Sequence, residues 1–479
     1  QMRTFSNFAW MFLQTEGDYN FSSGSRGRGN LSSTANPYFL FPQIYNFRYN
    51  IYSSEWPVAN RAIELYLQKK SENEGWERQI NGLSNNEKAN LLLEKHTFKE
   101  LLADVEQRNL QNNIVGLEAS RLFARSEINM GVDAFRDSLY AMLKRNTFLN
   151  IKFENMLDTL GEMSRTDLYS YLKEWEQLTP LPFYSIGEPE LTKVVNKGGE
   201  EFFVLKVLVS NNSDYDGIIQ MNVLQNGWWY QPMEDPRARK KVEIAAHTSK
   251  EFVSVWEEQI RDVEINTMVS GNLPYMIRQS IGNVKQERNK IVKDTIYTLP
   301  ESSLEMPGEV IVDNEDSTLF VLSTPAVVGL LPKWLDKVED TSFKYSGISW
   351  WRAPLQWTAT TNAKYYGKYI RSAYVIKSGD GSQTATWKIP VPEAGQYELY
   401  YHVFKDDELR WNDRLQGEYH FRVAYDSEME DAYINLRKAN EGWEQLGTYY
   451  FSADTVRVVL TDECKLRSVT ADAVKIVKR

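Results

Sequence analysis

Four histidines, one cysteine and several acidic or aromatic loops are where this 479-residue chain could do chemistry. The histidines are His96, His247, His402 and His420; none belongs to an HExxH pair, and no two share a local metal-ligand spacing. His96 and Glu100 form an i, i+4 pair on an expected helix, which is half a metal site or a plain surface pair. His402 and His420 fall in one expected β-sandwich, each flanked by aromatics, and read as hydrogen-bonded sheet histidines. Cys464 stands alone, excluding an intrachain disulfide or an all-cysteine zinc site. No G-x-S-x-G elbow occurs. Asp406-Asp407-Glu408 and Asp413 read first as a solvated loop, with a calcium site or paired glycosidase carboxylates as alternatives. No catalytic residue is named and an enzyme is disfavoured. A lyase base beside an arginine stays open among 27 tyrosines.

Binding is better supplied than catalysis. Trp350-Trp351, Trp357, Tyr365-Tyr366, Trp411 and Trp443 crowd the C-terminal part. Sugar rings stack their C–H faces on flat aromatic rings, so a carbohydrate site needs a few exposed aromatics beside polar hydrogen-bonding groups. Trp411-Asn412-Asp413-Arg414 has that mixture on an expected loop, and Trp350 and Trp351 join it as candidate ligand contacts. The alternative is burial, because most tryptophans are core or domain-joining residues.

Charge narrows the partners. With 55 Lys plus Arg against 65 Asp plus Glu, the net charge of −10 disfavours generic nucleic-acid binding, which relies on clustered basic residues. Polysaccharide or an envelope protein is the expected partner. No run of about 18 apolar residues marks a membrane span. No signal peptide is visible, and Gln1 is either a processed N-terminus or an artificial boundary. The Gly-rich piece 22–29 lacks the Gly-Lys-Ser/Thr ending of a phosphate loop. No cofactor is expected, calcium being the one alternative.

The elements that must position these residues imply a multidomain α+β chain: an all-α helical domain followed by antiparallel β-sandwich domains. Residues 1–55 read as an irregular or extended segment, with an apolar stretch Phe5–Leu13 and a strand at Asn46–Tyr52. Residues 56–180 read as helical, with helices expected at 86–103, 110–125, 131–144, 153–161 and 166–177. Asp133 and Thr166 stand as starting caps and Gly161 as a stop. Residues 181–340 read as a sandwich with a connecting segment, in which 276–293 is a further helix candidate. Residues 341–479 form the last sandwich. There Tyr397, Leu399 and Tyr401 alternate with Glu398, Tyr400 and His402, as do Val456, Val458 and Leu460 with Arg457, Val459 and Thr461.

Four phrases of that last part, 369–374 (YIRSAY), 385–390 (ATWKIP), 394–400 (AGQYELY) and 442–447 (GWEQLG), with the closing Ala471-Asp472-Ala473-Val474, carry a resemblance. Residues 341–479 resemble the golvesin C-terminal-like domain found beside polysaccharide lyases such as xanthan lyase. The resemblance implies an accessory β-sandwich like a carbohydrate-binding module. Residues 110–225 resemble the helical region behind the active site of gluzincin (M1-type) aminopeptidases, through Gly131-Val132-Asp133-Ala134-Phe135, Arg165-Thr166-Asp167-Leu168, Trp175 and Leu181-Pro182-Phe183-Tyr184. The zinc motif of that family has no counterpart here, so no catalytic residue carries over. The expectation is a non-catalytic, secreted or envelope-exposed bacterial protein whose C-terminal sandwich binds glycan or protein. A peptidase-related fragment or a polysaccharide lyase is the alternative.

Overall fold

The computed structural model describes residues 49–67, 74–196, 198–224, 235–282, 284–288, 292–302, 304, 308–323, 343–348, 353–405, 417–426 and 428–479. The apolar stretch Phe5–Leu13 and the start of the strand expected at Asn46 lie outside them.

The helical region carries β1 (Tyr49–Tyr52), α1 (Ala59–Leu67), α2 (Glu74–Asn81), α3 (Asn85–Leu93), α4 (Phe98–Ala103), α5 (Gln111–Met130), α6 (Val132–Arg145), β2 (Leu149–Lys152), α7 (Phe153–Ser164) and α8 (Leu168–Leu172). The helix expected over 86–103 is two helices. Thr97 and Glu100 form a capping box: Thr97 Oγ1 accepts from the Glu100 N–H at 3.2 Å, and Glu100 Oε2 accepts from the Thr97 N–H at 2.9 Å. That occupies the Glu100 carboxylate and holds its pKa below the usual value, so His96–Glu100 makes no metal pair.

Other expected ends also move. Gly131, not Asp133, precedes α6, and Asp167, not Thr166, caps α8 by accepting from the Ser170 N–H at 3.1 Å. Gly161 lies inside α7, which ends at Arg165 with φ 53°. A Cβ on Gly161 would stand 2.6 Å from the Thr166 carbonyl oxygen, so glycine here lets the chain fold back on its own helix.

Helix α5 is the spine, with Ile114, Leu117, Ala119, Leu122 and Phe123 buried on several sides, as expected of a central helix. Trp56, Phe98 and Trp175 close one end as a ring cluster. β1 and β2 pair in parallel, with Ile51 and Ile151 turned into this core.

The middle region is a sandwich of β3 (Tyr184–Ile186), β4 (Glu190–Val195), β5 (Glu201–Asn211), β6 (Gly217–Leu224), β7 (Arg239–Ile244), β8 (Thr248–Trp256), β9 (Asp262–Asn266), β10 (Met276–Ser280), β11 (Lys285–Arg288) and β12 (Thr295–Pro300). One sheet runs β10-β9-β6-β7 and the other β11-β4-β5-β8-β12, with β3 on β5. The candidate helix at 276–293 is therefore wrong. β10 pairs with β9, and β11 lies parallel to β4.

The last sandwich contains β13 (Glu309–Val312), β14 (Phe320–Leu322), β15 (Thr358–Thr361), β16 (Ser372–Lys377), β17 (Thr384–Pro390), β18 (Gly395–Val403), β19 (Glu418–Tyr425), β20 (Glu428–Asn435), β21 (Gly442–Phe451), β22 (Thr455–Thr461), β23 (Ser468–Ala471) and β24 (Val474–Lys478). Sheet β13-β24-β18-β21 faces sheet β14-β17-β22-β19-β20, and β15-β16-β23 flanks them. The expected boundary at 340/341 does not hold, because β13 pairs with β24 and β14 with β17. Trp387, Leu399, Tyr401, Phe421, Val458 and Leu460 fill the space between the sheets.

The three units are packed together. Lys241 on β7 reaches Glu127 on α5, which also accepts from Tyr66 OH at 2.8 Å. Arg125 bonds Glu243 at 2.8 Å, and Tyr275 OH donates to Glu74 at 2.6 Å. On the other side, Thr361 Oγ1 donates to the Gly82 carbonyl at 2.8 Å. Gly82, at φ 79°, runs so close to Ser346 that a Cβ would stand 2.4 Å from its backbone.

Candidate functional site

Strand register gathers one set of loops. Val403 at the end of β18 pairs with Gly442 at the start of β21, and Tyr401 with Val474 at the start of β24. In the other sheet Glu418 at the start of β19 pairs with Asn435 at the end of β20, and Thr384 at the start of β17 with Thr461 at the end of β22. These termini bring the loops of one sandwich end together, a common place for binding on this architecture. Each sheet carries an aromatic cluster on its outer face there.

On the four-stranded sheet, the period of two that buries Tyr397, Leu399 and Tyr401 turns Tyr400 and His402 outward. His402 pairs with Trp443, edge to face at 5.2 Å, and Tyr366 packs on both. The Lys475 ammonium sits between the rings of Trp443 (4.9 Å) and Tyr400 (5.4 Å) while bonded to Glu309 at 2.8 Å. His402 Nδ1 lies 2.9 Å from Asp472 Oδ2, and the Tyr366 N–H donates to the same carboxyl at 3.2 Å. Burial pushes the Asp472 pKa up, against the pull of His402. Nearby, burial pushes Asp313 well above the usual carboxylate range, with Asp472 adding to it, and lowers Arg371 to about 10. Trp443 is thus packed into an outer-face cluster that Lys475 and Tyr366 cover. It is a built surface with little open ring.

The five-stranded sheet offers the reverse. His420 on β19 faces Tyr433 on β20, and the rings stack almost parallel, 4.9 Å apart at 8°. His420 Nε2 lies 2.8 Å from Asp431 Oδ1, and Nδ1 lies 3.2 Å from Glu463 Oε2. The imidazole is locked by two carboxylates, and it backs a tyrosine that is 57% exposed. Beside them, Asp462 accepts from the Gly381 and Gln383 N–H groups at 2.8 and 3.2 Å, pinning the turn after Ser378. A Cβ on Gly379 would stand 2.1 Å from Asp462 Oδ2, so this close wrap requires glycine. One hard-backed ring face therefore meets solvent, with Asp431 two residues along the same strand face and Arg422 opposite it on β19. Such a surface can stack an apolar ring and accept hydrogen bonds; nothing in it marks a nucleophile.

Trp411, Asn412, Asp413 and Arg414, and also Trp350 and Trp351, lie outside the described residues, as do Asp406-Asp407-Glu408. The flanking residues are described: the chain leaves the four-stranded sheet through Lys405 and re-enters the five-stranded sheet at Gly417. No group of three or more His, Cys, Asp or Glu that could hold a metal ion occurs among the described residues. Trp443, one of the aromatics that crowd the C-terminal part, lies on the outer face opposite His402. The Tyr433 platform was missed, because strand β20 was not anticipated in its acidic sequence.

Residues 351–478 match the Golvesin C-terminal domain. The golvesin-type domain is the part of the chain that carries both clusters. Among solved structures, a xanthan lyase from Paenibacillus is similar at 16% identity and a TM-score of 0.26, covering 63% of this chain and 27% of the lyase. CBM35 from Cellvibrio japonicus Abf62 is similar at 12% identity and a TM-score of 0.18, over 26% of this chain and 83% of that one. A β-glucuronidase from Bacteroides uniformis aligns at 11% identity and a TM-score of 0.18, over 66% of this chain and 32% of that one. The chain thus spans about a quarter of the xanthan lyase's length. No curated protein matches it.

Proposed function

We propose that the golvesin-type sandwich binds carbohydrate, and that the helical and middle units carry it without catalysis of their own. The observation behind this reading is the Tyr433 ring, exposed, stiffly backed by His420 and neighboured by the Asp431 carboxylate on the same strand face. A sugar asks for that combination: a flat C–H acceptor beside oxygen atoms that take its hydroxyl protons. Trp411, Asn412, Asp413 and Arg414, with Trp350 and Trp351, remain further candidate contacts from the sequence. On this reading the partner is a polysaccharide or an envelope protein, and the chain acts in the periplasm, on the cell surface or outside the cell.

Affinity electrophoresis of the full chain through gels containing bacterial and host polysaccharides tests the reading. Retardation by one glycan and not by others is the expected result. Equal mobility through every gel would remove carbohydrate as the ligand and leave the sandwich as a protein-binding surface.

A further inference from the structure

We propose that the outer face of the five-stranded sheet holds a polysaccharide bearing uronate carboxylates, through Lys388, Arg457 and Arg422. The proposal rests on the carbohydrate-binding reading above and adds the charge class of the sugar to it.

The layout of this face follows from the register. Trp387, Val458, Phe421 and Val423 fill the core, so the residues that alternate with them turn outward. Lys388 on β17 stands directly opposite Arg457 on β22. Two residues along, Val459 stands between Thr386 on one side and Arg422 on the other. Arg422 is in turn opposite Asp431, and His420 opposite Tyr433. Three cations thus occupy three adjoining strands, which run about 4.8 Å apart. Arg422 is one diagonal step from Arg457, and Tyr433 one diagonal step from Arg422. Val321 and Met429 lie exposed on the two border strands, β14 and β20.

These cations are short of partners. Like charges directly opposite on a sheet destabilise it, yet Lys388 faces Arg457. Among the described residues none of the three forms an ion pair, and Arg422 Nε is buried without an acceptor. Asp431, across from Arg422, spends Oδ1 on His420, and Glu418 lies beyond His420 on β19. Elsewhere in the same sandwich Lys475, Lys478 and Arg479 sit on Glu309, Glu393 and Glu398. The chain as a whole carries a net charge of −10, so the cluster is not one patch of a generally basic surface. A local arrangement that costs stability and stays unneutralised fits an anion supplied from outside.

The chemistry of the side chains narrows that anion. A guanidinium fork takes a planar carboxylate through two parallel hydrogen bonds, and Lys388 adds a point charge. Cations spread over three strands suit carboxylates repeated along a chain better than one small ion. The hydroxyls of Thr384 and Thr386 share the face and can bond to sugar hydroxyls. A uronate resting on Tyr433 has Arg422 diagonally beside it, and a chain continuing across the sheet meets Arg457 and then Lys388.

Isothermal titration of the full chain with hexagalacturonate, cellohexaose and dextran sulfate tests the proposal. Wild type binds hexagalacturonate more tightly than the other two probes, and less tightly as salt rises. Arg422→Gln, and the double variant Lys388→Gln, Arg457→Gln, each weaken that binding about tenfold or more. Lys478→Gln, which removes a charge from β24 instead, leaves it unchanged. Because Lys388 and Arg457 repel one another, the urea midpoint of the double variant should not fall below that of wild type. A lowered midpoint would make the pair structural and overturn the proposal. So would equal losses in Lys478→Gln, or dextran sulfate bound as tightly as hexagalacturonate. Hexagalacturonate that fails to bind while a neutral polysaccharide retards the chain in gels overturns the uronate site and leaves carbohydrate binding in place. Failure of every probe and every gel removes the carbohydrate reading itself.

Discussion

Lys241 and Glu127 form an ion pair across the seam between the middle sandwich and the helical unit, with side chains only 6% and 2% exposed. Burial draws the Lys241 pKa down, and the Glu127 carboxylate works against that shift. Replacing Lys241 with Met removes the cation and leaves Glu127 dry, with Tyr66 OH as its remaining donor. Leaving one member of a buried pair uncompensated costs about 3–5 kcal/mol, whereas removing both in favour of apolar groups of similar volume is often near neutral. Lys241→Met and Glu127→Leu should therefore each destabilise by about 3 kcal/mol or more, and the double variant by far less than their sum. Urea unfolding followed by tryptophan fluorescence measures this. Because the pair spans two units, either single variant should also split one transition into two as the units uncouple. Singles that each cost less than about 1 kcal/mol, or a double variant that costs their full sum, would refute the reasoning.

Glu64, buried on α1, has its pKa pushed up to about 7 by desolvation, against the pull of Arg61. Between the ordinary carboxylate value and pH 7 the native state keeps a proton that the unfolded chain has lost. Stability should thus fall by about 3 kcal/mol as pH rises through that window, and Glu64→Gln should flatten the profile. His247 bridges Asp214 and Glu301, each at 2.8 Å, and these hydrogen bonds raise its pKa. Its contribution is present below about pH 6.5 and lost as pH climbs through the raised value; an NMR titration in Asp214→Asn should show that value fall. Gly82→Val places a Cβ against the Ser346 backbone at a left-handed φ, costing about 1–3 kcal/mol for the backbone strain alone. Limited proteolysis should then cut the variant faster than wild type between the helical unit and the last sandwich.

Alternation was the legible part of the fold. The inward set Tyr397, Leu399, Tyr401 and the set Val456, Val458, Leu460 are where period two put them, since one face of each strand is dry. The run 276–293 misleads because Met276, Ile277, Ile281 and Val284 mimic a helical stripe. Pairing to β9, with Ser280 Oγ donating to Asp262 at 2.6 Å, outweighs that local pattern. The break at His96 was legible in Thr97-x-x-Glu100, whereas the stop at Arg165 was not, since a left-handed arginine has no sequence mark. For the candidate site, the sequence showed that aromatics gather in the last domain and that His420 is a sheet histidine. Its stacking on Tyr433 depends on a register set by the hairpin after Tyr425, and β20 hides its period under Glu428, Glu430 and Asp431.

The two strands recruited from upstream, β13 and β14, bear on how this module can be moved or cut. Each is the outermost strand of its sheet, laid over β24 and β17. A fragment trimmed to residues 351–478 would lose both covers at once and bare two hydrophobic borders with unpaired amide and carbonyl groups. Bared strands of that kind recruit one another, so such a fragment would be prone to stick to itself and mimic adhesion in a binding assay. The transplantable unit starts ahead of Glu309, and a graft respecting that limit carries the sandwich with its hems sewn.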